Sequence, residues 1–155
     1  MRLGITGHRD LPRDALGFLR QEIRQLIDRA ESPVAVSSLA VGADQLFARE
    51  VLAARGALEA IVPSEDYRML FNEYERPEYD ALLACASRVF TLPFSHGNEQ
   101  AFMQAGRAVV ESCELLVAVW DGAPAGGLGG TADVVDYAKS VGREVTIVWP
   151  GGLGR

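Results

Sequence analysis

Apolar and polar positions along the chain follow two alternating periods. The run over residues 2–6 is short and apolar and ends at Gly7; after Pro12, Leu16, Leu19, Ile23, Leu26, Ile27 and Ala30 recur at helical spacing. This reads as strand, loop and amphipathic helix. VAVSSLAV, residues 34–41, predicts a second strand, and Gly42 opens a second helix with Ala43, Leu46, Phe47, Val51 and Ala54 on one face. Gly56 is placed to close it. ALEAIVP predicts a third strand, followed by an irregular, aromatic and charged stretch over 64–79, a short helix to Ala86, and a fourth strand in RVFTLP. From Asn98, the positions Ala101, Phe102, Ala105, Ala108 and Val109 mark another helical face. ELLVAVW is a nearly continuous apolar run of strand length, which implies burial on both faces. The glycine-rich segment DGAPAGGLGGT separates it from a helix over about 131–141, and EVTIVW predicts the last strand.

Strands alternating with helices on short connections call for crossover units and a mainly parallel sheet with helices on both faces. The predicted fold is therefore α/β, a single doubly wound domain over 1–150 with a flexible tail over 151–155. Composition agrees: 155 residues, 48% hydrophobic and 23% charged, are enough for one core and too apolar for a disordered chain.

The net charge of -6 has the wrong sign for a protein that neutralises many phosphates, so bulk nucleic-acid binding is disfavoured. Lys139 is the single lysine among 15 basic residues, and arginine suits bidentate phosphate recognition. Cys85 and Cys113 lie in apolar stretches without CxxC spacing and are expected as buried free thiols. MRLGITGHRD lacks a signal-peptide apolar segment, and no run approaches the roughly 18 apolar residues of a membrane span. The expected setting is the cytoplasm, without a membrane partner.

In an open parallel sheet, ligands bind beyond the carboxyl ends of the strands. There the sequence sets Gly7, His8 and Arg9 after the first strand, and Ser38, Gly42 and Asp44 after the second. Glu65 and Tyr67 follow the third strand, and Trp120, Asp121, Gly122, Gly126, Gly127, Gly129, Gly130 and Thr131 follow the fifth. Glycines at strand-to-helix turns let backbone N–H groups approach a ligand, and a helix start favours an anion. Asp44 and Asp121 are candidates for ribose hydroxyls, Arg9 and Arg107 for phosphate, and Tyr67 or Trp120 for stacking on a base. Each has a plainer alternative: tight turns need glycine, Thr131 fits an N-cap, Asp44 complements a helix dipole, and His8 can orient its own loop. No metal-ligand spacing, dinucleotide fingerprint or Walker lysine occurs, so neither a metal nor a cofactor is expected.

GITGHRD, SSLAVGADQLFARE, IVPSEDY and LLVAVWDGAPAGGLGGTADVV together resemble the SLOG superfamily, which is related to the DNA-processing protein A and Lonely Guy (LOG) families. The resemblance implies a Rossmann-like domain that binds nucleotides or nucleotide-derived molecules, with phosphate on the glycine-rich loop before the last helix. Gly7, His8 and Arg9 match the first loop, Ser38, Gly42 and Asp44 the second, and Asp121, Gly122, Gly129, Gly130 and Thr131 the third. LOG enzymes cleave the N-glycosidic bond of cytokinin nucleotides and carry PGGxGTxxE, whose last Glu is catalytic. Here the segment reads GLGGTADVV, with Val134 at that position and Asp133 one residue early, which on a helix is a turn of about 100°.

The leading expectation is a module that binds a small nucleotide-derived ligand. The alternative is a nucleoside 5′-monophosphate N-glycosidase using Asp133, Asp121 or Glu65, with Arg9 or Arg107 on phosphate. A third reading is an interaction domain with a vestigial pocket. A homo-oligomer is expected from the resemblance and from the aromatic-rich stretch over 67–79 as an interface or lid.

Overall fold

Each period in the sequence becomes an element. The computed structural model describes residues 1–124 and 128–151 and contains β1 (Arg2–Gly7), β2 (Val34–Ser37), β3 (Ala57–Val62), β4 (Arg88–Thr91), β5 (Leu115–Val119) and β6 (Glu144–Val148). Alternating with them are α1 (Leu16–Arg29), α2 (Ala43–Ala53), α3 (Arg76–Ala84), α4 (Glu99–Glu111) and α5 (Thr131–Ser140). The strands form one six-stranded sheet in the order β4-β3-β2-β1-β5-β6, with every adjacent pair parallel. Residues 152–155, most of the expected tail, and Gly126 and Gly127 lie outside the described residues.

Strand alternation sorts the apolar side chains into two cores. Leu3, Ile5, Ala35, Leu58, Val117 and Val119 pack with α1, α2 and α3 on one face. Val36, Ile61 and Leu116 meet Ala105, Val109, Val110, Val134 and Ala138 of α4 and α5 on the other. Gly4 sets the approach of α4, because a Cβ there would stand 2.8 Å from Cys113 Sγ and 2.9 Å from Val109 Cγ1. No helix among the described residues is long and apolar enough to cross a membrane.

Several local expectations are corrected. β2 stops at Ser37, where the sequence reads as strand to residue 41, because Leu39 turns into the left-handed region at φ 59°. Ser37 Oγ accepts the Leu39 N–H at 3.0 Å, and Gln45 Nε2 donates to the Leu39 carbonyl at 3.1 Å. Those bonds hold a conformation that leucine rarely adopts. At the end of α2 the left-handed residue is Arg55, at φ 64°. Gly56 is required for a different reason, since a Cβ there would meet the Pro33 carbonyl oxygen at 2.6 Å. The cap of α5 is Gly130, and Thr131 is its first helical residue.

Cys113 is buried, but Cys85, at the end of α3, is exposed. The aromatic stretch is largely spent on the core. Tyr67, Phe71 and Tyr79 are buried and pack edge-on at 4.5–5.6 Å, leaving Tyr74 exposed.

Candidate functional site

The connection from β1 runs to β2 on one side and that from β5 to β6 on the other, so the neighbouring carboxyl ends of β1 and β5 form a topological switch point. A cavity of about 420 Å³ opens there. Of the residues nominated from the sequence, Gly7, His8, Arg9, Ser38, Asp44, Tyr67, Trp120, Gly129, Gly130 and Thr131 line it. Gly42, Glu65, Arg107, Asp121, Gly122 and Asp133 do not.

The loops after β1 and β5 are locked together. The His8 N–H donates to the Val119 carbonyl at 3.1 Å, and the Ala43 N–H donates to the His8 carbonyl at 3.1 Å. His8 Nε2 lies 3.1 Å from both the Asp121 N–H nitrogen and Asp121 Oδ1, so the ring tautomer decides which bond forms. Trp149 packs edge-on against the same imidazole at 5.3 Å. Asp121 Oδ1 also accepts the Ala123 N–H at 2.9 Å, while Trp120 Nε1 donates to the Ala123 carbonyl at 2.9 Å. Asp121 thus braces its own turn instead of reaching the cavity, and Gly122 supplies that turn's positive φ of 87°.

Asp44 stands in the first turn of α2, and the residue is 9% exposed. Its Oδ2 accepts the Ala40 N–H at 3.3 Å. Burial pushes the carboxyl up to about 7, against the opposing pull of that N–H and of the Arg9 guanidinium. Tyr67 is also buried, and desolvation together with nearby Asp44 raises its phenol well above its ordinary value. Edge-on contacts with Phe71, Tyr79 and Phe102 hold its ring in the wall of the cavity. Arg9 is exposed at the mouth, and it makes no ion pair among the described residues.

Beside these residues α5 begins. Gly130 offers no capping side chain, and Gly130, Thr131 and Ala132 all line the cavity. The leading N–H groups of a helix have no partner within it, and with the helix dipole they favour an anion. Gly129 takes φ 90°, and a Cβ there would stand 3.0 Å from the Met103 backbone nitrogen, so α5 starts hard against α4. Asp133 Oδ2 accepts the Gly129 N–H at 3.1 Å, which fastens the loop to the first turn.

The remaining nominees have other places. Glu65 is exposed outside the cavity. Arg107 is exposed on α4, its guanidinium 5.1 Å from the centre of the Tyr137 ring, and it does not line the cavity. Sequence reasoning missed Leu70, Phe71, Phe102, Ala105, Gly106 and Val109, which form the apolar wall. Phe102 carried a usable signal: a large aromatic directly after the buried Ala101 sits beside the core stripe of α4, and it is 36% exposed. Asp66, beside Tyr67 but not lining the cavity, accepts the Ser64 hydroxyl at 2.7 Å and the Gly97 N–H at 2.8 Å, bonds that hold its carboxyl below the ordinary range.

No family model matches the chain, and no curated protein matches it. Solved structures do. DNA processing protein A from Streptococcus pneumoniae superposes with a TM-score of 0.69 at 18% identity, covering 98% of this chain and 51% of that one. The Helicobacter pylori protein of the same name, described for its single-stranded DNA binding mode, gives 0.71 at 14% identity over 95% of this chain and 64% of that one. The chain thus spans less than two thirds of either protein. The Moco carrier protein from Chlamydomonas gives 0.57 at 14% identity, over 94% of this chain and 74% of that one. These likenesses establish the fold, a Rossmann-like α/β domain.

Proposed function

We propose that the protein binds a small nucleotide or nucleotide-derived ligand in the cleft at the carboxyl ends of β1 and β5, with its phosphate on the start of α5. One observation carries the reading: the uncapped first turn of α5 and Arg9 line the same cavity. Backbone N–H groups and a nearby arginine are the donors that phosphate recognition uses. A cavity of about 420 Å³ has the size of a small-molecule site, and its apolar wall at Phe102, Leu70 and Val109 suits a planar base.

The N-glycosidase reading is weaker, because the carboxylates nominated for it are engaged or remote. Asp133 holds the Gly129 N–H, Asp121 braces the turn at Ala123, and Glu65 is exposed elsewhere. The Moco carrier protein offers a precedent for a carried small molecule on this fold, and the Helicobacter protein one for single-stranded DNA.

The test is calorimetry with nucleoside monophosphates, ADP-ribose, NAD and a single-stranded oligonucleotide, with chromatography for released base. Saturable binding of one small ligand, left intact, is the expected result. Gly130 has φ -71° and ψ 173°, angles open to any residue, so Gly130→Val is expected to fold while blocking the approach of phosphate. Binding by Gly130→Val as tight as the parent's, or binding of the oligonucleotide alone, defeats the reading.

A further inference from the structure

The inner end of the cleft carries two side-chain oxygens, on largely buried residues, that have no protein partner. Asp44 uses Oδ2 for the Ala40 N–H, and its Oδ1 accepts no bond from any described group. The Tyr67 hydroxyl likewise has no protein partner, although the residue is only 5% exposed. Among the described residues no fully buried side-chain oxygen or nitrogen lacks a partner, so these two oxygens open onto the cavity that both residues line. Arg9 lines the same cavity beside them.

Neither group is free to turn away. Asp44 is fixed by its place in the first turn of α2 and by the Ala40 bond, and the Tyr67 ring is held edge-on by Phe71 at 5.1 Å, Tyr79 at 5.6 Å and Phe102 at 6.4 Å. An ionised carboxylate oxygen accepts only, whereas a phenol hydroxyl both donates and accepts. The complementary ligand group therefore supplies at least one O–H donor to Asp44 and a second oxygen that accepts from Tyr67. Two adjacent hydroxyls on a sugar meet that demand, and a sugar without them leaves both protein oxygens without a ligand partner.

We propose that Asp44 and Tyr67 form a diol-reading end of the cleft, which selects ribonucleotides over nucleotides that lack the vicinal sugar hydroxyls. This rests on the nucleotide reading above and specifies which part of the ligand the inner wall recognises. A site built to bond a hydroxyl rejects the analogue without it far more strongly than an apolar pocket rejects a missing methylene.

The experiment is calorimetric titration of the full chain with AMP, GMP, CMP and UMP, and with their 2′-deoxy and 2′,3′-dideoxy counterparts. The parent is expected to bind its preferred ribonucleotide at least about tenfold more tightly than the dideoxy form. In Tyr67→Phe, which keeps the ring among its aromatic neighbours, and in Asp44→Asn, the ratio is expected to fall toward one. Circular dichroism checks that each variant folds, and the parent's own ratio stands as a test if either does not. Equal affinity of the parent for ribo and dideoxy forms, with binding still lost in Gly130→Val, overturns the diol assignment while leaving the nucleotide reading intact. A ratio that survives both substitutions assigns the hydroxyls to other residues and also overturns it. Absence of binding by every member of this panel and by ADP-ribose and NAD defeats both.

Discussion

Gly42 and Arg9 are in contact through their backbones: a Cβ on Gly42 would stand 2.3 Å from the Arg9 carbonyl oxygen, and 2.5 Å from that of His8. The close approach that this glycine permits is by the loop after β1, and a ligand has no part in it. Its φ of 96° is also closed to other residues. The loop carrying Arg9 is thereby seated on the start of α2, which carries Asp44.

Gly42→Ala combines backbone strain with a clash against main-chain atoms that have nowhere to go. It is expected to cost about 2–4 kcal/mol, which lowers Tm by roughly 5–15 °C in a chain of this size. Thermal unfolding followed by circular dichroism measures it. A change below about 1 kcal/mol would show that the loop can move aside.

Asp44 makes stability depend on pH in an unusual direction. Burial raises its carboxyl from an ordinary 3.8 to about 7 in the folded chain. Below pH 4 both states hold the proton and no penalty arises. Between about 4 and 7 the unfolded chain ionises while the folded chain does not, so stability falls as pH rises and levels off above 7. Asp44→Asn removes this dependence. Relative to the parent, the variant is expected to gain on the order of a few kcal/mol between pH 4 and pH 8, measured by urea unfolding. A parent-to-variant difference that does not change with pH would contradict it.

Across the other end of the sheet, Arg2 of β1 reaches over β2 to Glu59 of β3, with Nη1 donating to Oε2 at 2.8 Å and Nη2 to Oε1 at 2.7 Å. Arg2 holds the Glu59 carboxyl below its ordinary value, so its contribution is present above the usual carboxylate range and is lost as the solution is acidified below it. Arg2→Ala leaves a largely buried carboxylate unpaired. Because the Arg2 side chain is 36% exposed, solvent screening limits the expected cost to about 2 kcal/mol at pH 7, shrinking toward acid pH. Denaturant unfolding at several pH values checks both parts.

Asp133 separates the binding reading from the glycosidase reading. In Asp133→Asn an oxygen remains for the Gly129 N–H while a negative charge leaves the start of α5. Nucleotide affinity is expected to rise by less than about fivefold, the scale of one charge at a helix end. Complete loss of base release in that variant, with binding retained, would instead assign the residue to catalysis.

The order of elements was legible in the sequence because it rests on local periodicity. Apolar runs such as ELLVAVW and the helical repeats around Leu19 and Val109 state which faces are buried whatever their partners are. The candidate loops were legible too, since a doubly wound sheet brings the residues after its strands to one end, and Gly7, Arg9, Asp44 and Thr131 meet there. Which of them face the cavity was not. Asp44 and Asp121 are alike as letters, yet one stands buried at the cleft and the other turns back on Ala123. Gly42 and Gly130 both precede helices, yet one accommodates the Arg9 backbone and the other lines the cavity. The direction of a side chain depends on hydrogen bonds and contacts with residues far away in the chain, and local pattern carries no record of those. Phe102 reaches the cavity for the same reason, because only the packing of α4 against the sheet and Tyr67 decides which side of that helix borders it.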